Sequence, residues 1–381
     1  MTIRFAEPFV TGNELPYIQQ AIEQGRLSGD NAFSRRCQAL LEDLLDVPRI
    51  LLTSSCTHAL EMAALLFDLQ PGDEVILPSF TFVSTANAFV LRGARPVFID
   101  VRPDTLNMDE QQLETLITPR TRAIVPVHYA GVGCEMETIL AIGKKHAIQV
   151  AEDNAHGLFA TYQGRYLGTM GELGCLSFHE TKNFTCGEGG AVLLNDPALI
   201  ERAEIIREKG TDRSRFFRGE VDKYTWVDVG SSYLMSELAA AYLLAQLEAR
   251  EMIQAQRRDM WHFYASHLSG WAQANDIQMP TVPAHVEQSF HMFYLLMPNA
   301  EQRQSLLAYL KENGISAVFH YVPLHLSRMG QQFGGKRGDC PVTEDISDRL
   351  VRLPFHNNLT QTDLDYIVDT LQQIVPAEIS R

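Results

Sequence analysis

"RILLTSSCTHALEMAALLFDLQPGDEVILP", residues 49–78, sets two short apolar runs on either side of a helical pattern. "RILLTSS" (49–55) is followed by a helix expected from Thr57 to about Phe67, and "EVILP" (74–78) begins the next unit. The same rhythm continues outward. "EVILP" leads to a helix near 82–92, "PVFID" (96–100) to one near 109–117, and "RAIVPV" (122–127) to one near 134–146. "IQVAEDN" (148–154) then leads towards "CLSF" (175–178) and "AVLLN" (191–195). Runs of four to six residues rich in Val and Ile, each followed by a helix, signal βαβ units and a mostly parallel sheet buried on both faces. The fold class is α/β.

The rhythm changes after about residue 235. "MSELAAAYLLAQLEAREMIQAQRRDMWHFYASHL" (235–268) has no Pro or Gly to stop it and reads as one long helix. An apolar strand "SFHMFYLLMP" (289–298), a helix near 300–312, a short strand "ISAVF" (315–319) and a helix near 361–375 follow. The expected division is a large domain over 1–250, with an N-terminal arm at 1–12, and a smaller α+β domain over 251–381 joined by the long helix. The length of 381 residues agrees with the usual rate of roughly 100–200 residues per domain.

A composition of 45% apolar and 21% charged residues is that of an ordinary globular protein. The net charge of -15 argues against a nucleic-acid binder, which needs a basic footprint to displace counterions. Six cysteines spread along the chain with no CxxC pair point to a reduced compartment, and the first residues lack the apolar core of a signal peptide. The expected location is the cytoplasm.

Three apparent motifs fail on inspection. "GVGCEM" (131–136) has Met136 where a dinucleotide fingerprint needs its third glycine. "GQQFGGKR" (330–337) fits a P-loop literally, but Arg337 replaces the Ser/Thr and no apolar strand precedes it. No HExxH occurs, and Pro323 prevents "HYVPLH" (320–325) from presenting two histidines on one helix face, so no metal site is expected.

Four other segments ask for a single ligand. "SSCTHAL" (54–60) opens a helix with small polar residues, which suits a phosphate. "PSFTFVSTANAF" (78–89) offers Phe80 and Phe82 at the same sheet edge. "AEDNAHG" (151–157) ends an apolar strand with two acids, so Asp153 wants a cationic partner. "SFHETKNFTCGEGG" (177–190) places a lone lysine, Lys182, before a glycine-rich turn. A phosphate, a ring to stack, a ring nitrogen to keep protonated and an aldehyde to meet an amine together describe pyridoxal 5'-phosphate (PLP).

With those segments, and with "GDEVILPSFTFVSTANA", "PVFIDVRPDTLNMD", "VPVHYAG", "EKGTDRSRF" and "HYVPLH", the chain resembles the DegT/DnrJ/EryC1/StrS sugar-nucleotide aminotransferases from about residue 5 onward. The resemblance implies the PLP-dependent transferase fold type I, as in aspartate aminotransferase. It makes Lys182 and Asp153 the catalytic pair, with Lys182 forming the Schiff base and Asp153 meeting the pyridine nitrogen. It further implies Cys56, Thr57 and Ser177 at the phosphate, Phe82 on the ring, His156 near the ring hydroxyl, and His320 and Tyr321 toward the substrate. A dTDP-linked keto sugar and L-glutamate are the implied substrates, and a homodimer with shared sites the implied assembly. Two departures stand out. Cys56 replaces a frequent Gly, and the common "G-x-N-Y-R-M" reads Gly230-Ser231-Ser232-Tyr233-Leu234-Met235, which leaves Ser232 as a weaker phosphate contact from the neighbouring chain. No arginine occurs in "HMFYLLMP" (291–298) or "HYVPLH" with which to clamp an amino-acid carboxylate, which favours a keto sugar over a keto acid as acceptor.

Overall fold

The structure, a computed structural model, describes residues 2–374. Met1 and residues 375–381, where the two expected domains and the helix near 361–375 have their ends, lie outside the described residues.

Seven strands make the main sheet: β1 (Arg49–Thr53), β2 (Glu74–Pro78), β3 (Arg95–Ile99), β4 (Thr121–Ile124), β5 (Gln149–Asp153), β6 (Leu173–Ser177) and β7 (Gly190–Leu194). Their order is β1-β7-β6-β5-β4-β2-β3. All run parallel except β7, which pairs antiparallel with both β1 and β6. Alternate residues face opposite layers, as the period of a strand requires. Leu51, Val75, Leu77, Ala151 and Val192 meet the helices Cys56–Leu66 and Val83–Val90. Ile50, Leu52, Ala191 and Leu193 meet the helices Ala32–Leu45 and Glu237–Glu248 on the other face. Both faces are covered, which is why these strands read as continuous apolar runs.

A separate apolar cluster is built from the helices Arg250–Ala274, Ala300–Glu312 and Gln361–Gln372 and from two short strands, β8 (Tyr294–Leu296) and β9 (Leu350–Arg352). Ile3, inside the segment expected as an arm, belongs to this cluster and bridges to Ile315.

Three expectations differ from the structure. The helix expected over 235–268 is two helices, Glu237–Glu248 and Arg250–Ala274, with Ala249 non-helical at the joint. Leu243, Leu244 and Leu247 pack with the main sheet, whereas Met260, Tyr264 and Leu268 pack with the C-terminal cluster, so the apolar stripe changes core near the break. The strand expected over 289–298 shrinks to Tyr294–Leu296, because Phe290 takes a left-handed conformation (φ 52°) and ends the extended run. Residues 315–319 form isolated bridges, Ile315 to Ile3 and Val318 to Arg352, rather than a strand.

The loop "HYVPLH" is fastened beside the sheet by its second histidine. Buried His325 bonds through Nδ1 to Ser79 Oγ (2.6 Å) and through Nε2 to Glu344 Oε1 (3.0 Å), and Leu324 N donates to Ser79 O (3.0 Å). Among the described residues, no helix is long and apolar enough to cross a membrane.

Candidate active site

The turns that follow β1, β2, β5 and β6 converge at the C-terminal ends of the parallel strands, the usual binding edge of such sheets. A cavity of about 590 Å³ opens there, with further walls from the C-terminal cluster.

After β1, Ser55 caps the helix Cys56–Leu66 by accepting from His58 N (3.1 Å). The first backbone N–H groups of this helix, at Cys56 and Thr57, stand at the cavity wall, and Thr57 Oγ1 donates to Ser84 Oγ (2.8 Å). The start of β7 passes close by: a Cβ built on Gly190 would lie 2.4 Å from Cys56 N, so no other residue fits there without moving the helix start. Ser177, at the end of β6, lines the same side. A helix N-terminus with added hydroxyls is a ready anion cradle.

After β2, Phe80 turns into the core against Tyr129 and Tyr321, while Phe82 remains 57% exposed at the cavity. After β5, the two acids separate by strand alternation. Glu152 faces inward and accepts from the N–H groups of Gly168, Met170 and Gly171 (2.6–2.8 Å) and from His128 Nε2 (2.9 Å). Because His128 Nδ1 accepts from Cys134 N (3.1 Å), its proton sits on Nε2 and points at Glu152. These bonds hold the Glu152 carboxyl below its ordinary range in spite of burial. Asp153 faces the cavity, where burial raises its pKa against the hydrogen bonds from Thr85 Oγ1 (2.7 Å) and Ala155 N (3.2 Å).

His156 stacks on His291 (centroids 4.2 Å, 17° apart), and its Nδ1 is buried without a hydrogen-bond partner. Asn183 Oδ1 bonds His291 Nδ1 (2.9 Å), tying the stack to the residue after Lys182. His320 bonds Tyr129 OH (3.1 Å) and stacks on Tyr321. Burial pushes His156, His291 and His320 well below the ordinary histidine range, so all three are neutral.

Lys182 sits in the hairpin between β6 and β7, its own N–H donating to His179 O (2.9 Å). Burial lowers its amine to about 8, against the opposing fields of Cys56 and Asp153. An amine poised there is both a nucleophile and a proton carrier near neutral pH.

The cavity therefore gathers Cys56, Thr57, Phe82, Asp153, His156, Ser177, Lys182, His320 and Tyr321 from the sequence-derived set. Ser232 is not among its lining residues. It is exposed and bridges Glu208, and its expected contact is with the site of a neighbouring chain. Three wall residues escaped the sequence reading: Thr85 on Asp153, His291 behind His156, and Arg352, whose Nε is buried without a partner. Arg352 shows that the wall does carry an arginine, outside the two segments, "HMFYLLMP" and "HYVPLH", in which none occurs, so their lack of one does not by itself separate a keto sugar from a keto acid. The one signal of Arg352 in the sequence is a lone charge in the otherwise apolar run "LVRLP" (350–354).

A buried amine, a carboxylate across from it, an unpartnered histidine nitrogen and an anion cradle suit PLP in each of its polar parts, and on this fold they define a PLP-dependent aminotransferase. The chain belongs to the DegT/DnrJ/EryC1/StrS aminotransferase family, whose sequence model matches residues 9–372. It is 32% identical over 377 residues to GDP-perosamine synthase of Caulobacter vibrioides, covering 98% of each chain. It is also 30% identical over 382 residues to the spore coat polysaccharide biosynthesis protein SpsC of Bacillus subtilis, covering 97% of this chain and 96% of that one. The PLP form of a putative sugar aminotransferase, Spr1654, from Streptococcus pneumoniae superposes with a TM-score of 0.91 at 25% identity, over 100% of both chains.

Proposed function

We propose that the protein aminates the C4 keto group of dTDP-4-keto-6-deoxy-D-glucose with L-glutamate, giving dTDP-4-amino-4,6-dideoxy-D-galactose and 2-oxoglutarate. This is the reaction of the dTDP-4-amino-4,6-dideoxygalactose transaminase of enterobacterial common antigen synthesis, which the chain resembles. The observation that carries the aminotransferase part is the Lys182 amine, lowered to about 8 in a cavity that also presents Asp153.

Bound there, PLP supplies an aldehyde that takes up the donor's amino nitrogen and a ring that spreads the charge left on carbon. The Cys56 and Thr57 N–H groups, with the Thr57 and Ser177 hydroxyls, hold its phosphate. Asp153 keeps the ring nitrogen protonated, and His156 offers its free Nδ1 to the ring hydroxyl. Phe82 covers the ring. Lys182 would be the residue that holds the aldehyde group. As a free amine, Nζ would take the proton from the donor's α-carbon and later give one to the sugar carbon that receives nitrogen. His320 and Tyr321 wall the substrate side.

We place the enzyme in the cytoplasm, in keeping with six free cysteines. The active unit is a homodimer in which each site borrows from the other chain. Supporting this, Phe217 (67%), Trp226 (78%) and Val229 are exposed on one segment that leads to Ser232, and apolar surface of this kind marks an interface. Trp226→Asp should lower the sedimentation coefficient to that of a monomer and empty the cofactor site. A cofactor-saturated, active wild-type monomer would remove the shared-site part of the proposal.

The substrate is tested by exhausting the cofactor's visible band with L-glutamate and then offering keto sugar nucleotides. Return of the band with dTDP-4-keto-6-deoxyglucose, and with a C4 amine in the product by NMR, is expected. Return with a 3-keto isomer or a GDP-linked sugar instead would reassign the acceptor.

A further inference from the structure

We infer that Asn183 is a positioning residue for His156: acting through His291, it fixes the ring that meets the cofactor's hydroxyl. The inference rests on the placing of PLP given above and deepens it.

His156 is held by contact rather than by bonds to its ring. Its carbonyl accepts from Ser289 Oγ (2.5 Å), its ring lies flat on His291 (centroids 4.2 Å, 17° apart), and its Nδ1 is buried without a partner. Ser289 comes this close because residue 131 is glycine, where a Cβ would run into Ser289 Oγ. Whatever orients His291 therefore orients the stacked pair.

Asn183 does so. Its Nδ2 has two acceptors, Ser289 O (2.7 Å) and Gln254 Oε1 (3.2 Å), which leaves Oδ1 facing His291 Nδ1 at 2.9 Å. A backbone carbonyl cannot donate, so the amide cannot be turned over, and the proton of His291 must sit on Nδ1. Burial keeps His291 neutral, which leaves its Nε2 bare.

The backbone beneath this ring is held from another side. Phe290 takes φ 52°, a conformation that a bulky residue keeps only where its surroundings impose it. Buried Arg257, on the helix Arg250–Ala274, donates Nε to Phe290 O (2.9 Å) and Nη2 to His291 O (2.5 Å), while Nη1 reaches Asn357 Oδ1 (3.1 Å). With the turn fixed by Arg257 and the ring by Asn183, His291 is a rigid face. Asn183 also directly follows Lys182, so one amide ties the hairpin that carries the amine to the segment that carries the stacked rings. The aldehyde and the hydroxyl of PLP sit on adjacent carbons of one rigid ring, and groups that meet both must keep a set separation.

The test uses the holoenzyme. Nitrogen NMR of protein labelled in histidine, with His291 assigned by its loss in His291→Phe, should show the His291 proton on Nδ1. In Asn183→Leu, kcat should fall about tenfold and the pH midpoint of the cofactor's visible band should shift by about one unit, the worth of one hydrogen bond. In a His156→Phe background, the same substitution should cost less than about twofold more, because the group being positioned is gone. If Asn183→Leu does not fold, His291→Phe, which keeps a flat face but drops the bond to Asn183, should give the same shift of midpoint. A proton on His291 Nε2, an unchanged kcat and midpoint in a folded Asn183→Leu, or full additivity with His156→Phe would each overturn the assignment. A midpoint left in place by His156→Phe itself would instead refute the meeting of His156 with the ring hydroxyl, while the His291 tautomer would still report the bond to Asn183.

Discussion

Thr85 Oγ1 donates a 2.7 Å hydrogen bond to Asp153 Oδ2, joining the helix after β2 to the end of β5 across the floor of the cavity. Thr81 Oγ1 lies 2.9 Å from Thr85 Oγ1 and fixes that hydroxyl in turn. The bond works against burial, which raises the Asp153 pKa. Thr85→Val should let that pKa rise further and favour the neutral acid, which cannot hold a ring nitrogen as its ion partner. We expect kcat to fall about tenfold, the worth of one hydrogen bond to a charged group, with KM little changed and Thr85→Ser near wild type. A kcat for Thr85→Val equal to wild type would make the contact a packing detail.

Adjacent acids should answer differently to loss of charge. Glu152→Gln removes a carboxylate that gathers three backbone N–H groups and His128, and should destabilise the protein by about 3 kcal/mol in denaturant unfolding. The Glu152 pKa is depressed in the folded state, so its contribution is present above the ordinary Glu range and lost as the pH falls through the folded value. Asp153→Asn should unfold close to wild type yet lose most of its kcat. Equal loss of stability in both variants would contradict this division.

The pH dependence of Lys182 follows from its surroundings. Labelling of the apo-protein amine by trinitrobenzenesulfonate, mapped to its peptide, should rise with pH through a midpoint at about 8. Asp153 favours the charged amine and Arg352 opposes it, so Asp153→Asn should shift the midpoint down and Arg352→Gln should shift it up. A midpoint at the ordinary lysine value would show an amine open to solvent.

Lys182→Ala should abolish turnover, because the amine that exchanges with the donor and the amine that carries the proton are the same atom. Cofactor should still bind, more weakly, through the cradle at Cys56 and Thr57. Multiple turnovers by this variant would move the chemistry elsewhere.

The residues legible in the sequence are those whose local setting is unusual. Lys182 interrupts an apolar strand and a glycine turn, and Asp153 ends a strand that otherwise has every reason to be apolar. Thr85 and His291 carry no such mark, because each matters through a partner far along the chain. Arg352 was hidden by the shortness of β9, three residues that periodicity cannot distinguish from the turn after the helix Pro341–Arg349. The parallel sheet was readable because both its faces are buried. The break at Ala249 was not, since good helix formers on either side conceal a change of packing partner.

The reversed strand β7 also decides what holds the site together. In the main sheet, β1 has β7 as its neighbour, with Arg49 opposite Leu194 and Thr53 opposite Gly190. β1 therefore reaches the rest of the sheet through residues 190–194 alone, while the helix after it packs on the sheet's face. Residues 190–194 join β1 to β6, set Gly190 against Cys56 N, and close the hairpin that carries Lys182. The anion cradle and the reactive amine thus share one support, a strand whose first residue lies against the cradle and whose preceding hairpin carries the amine.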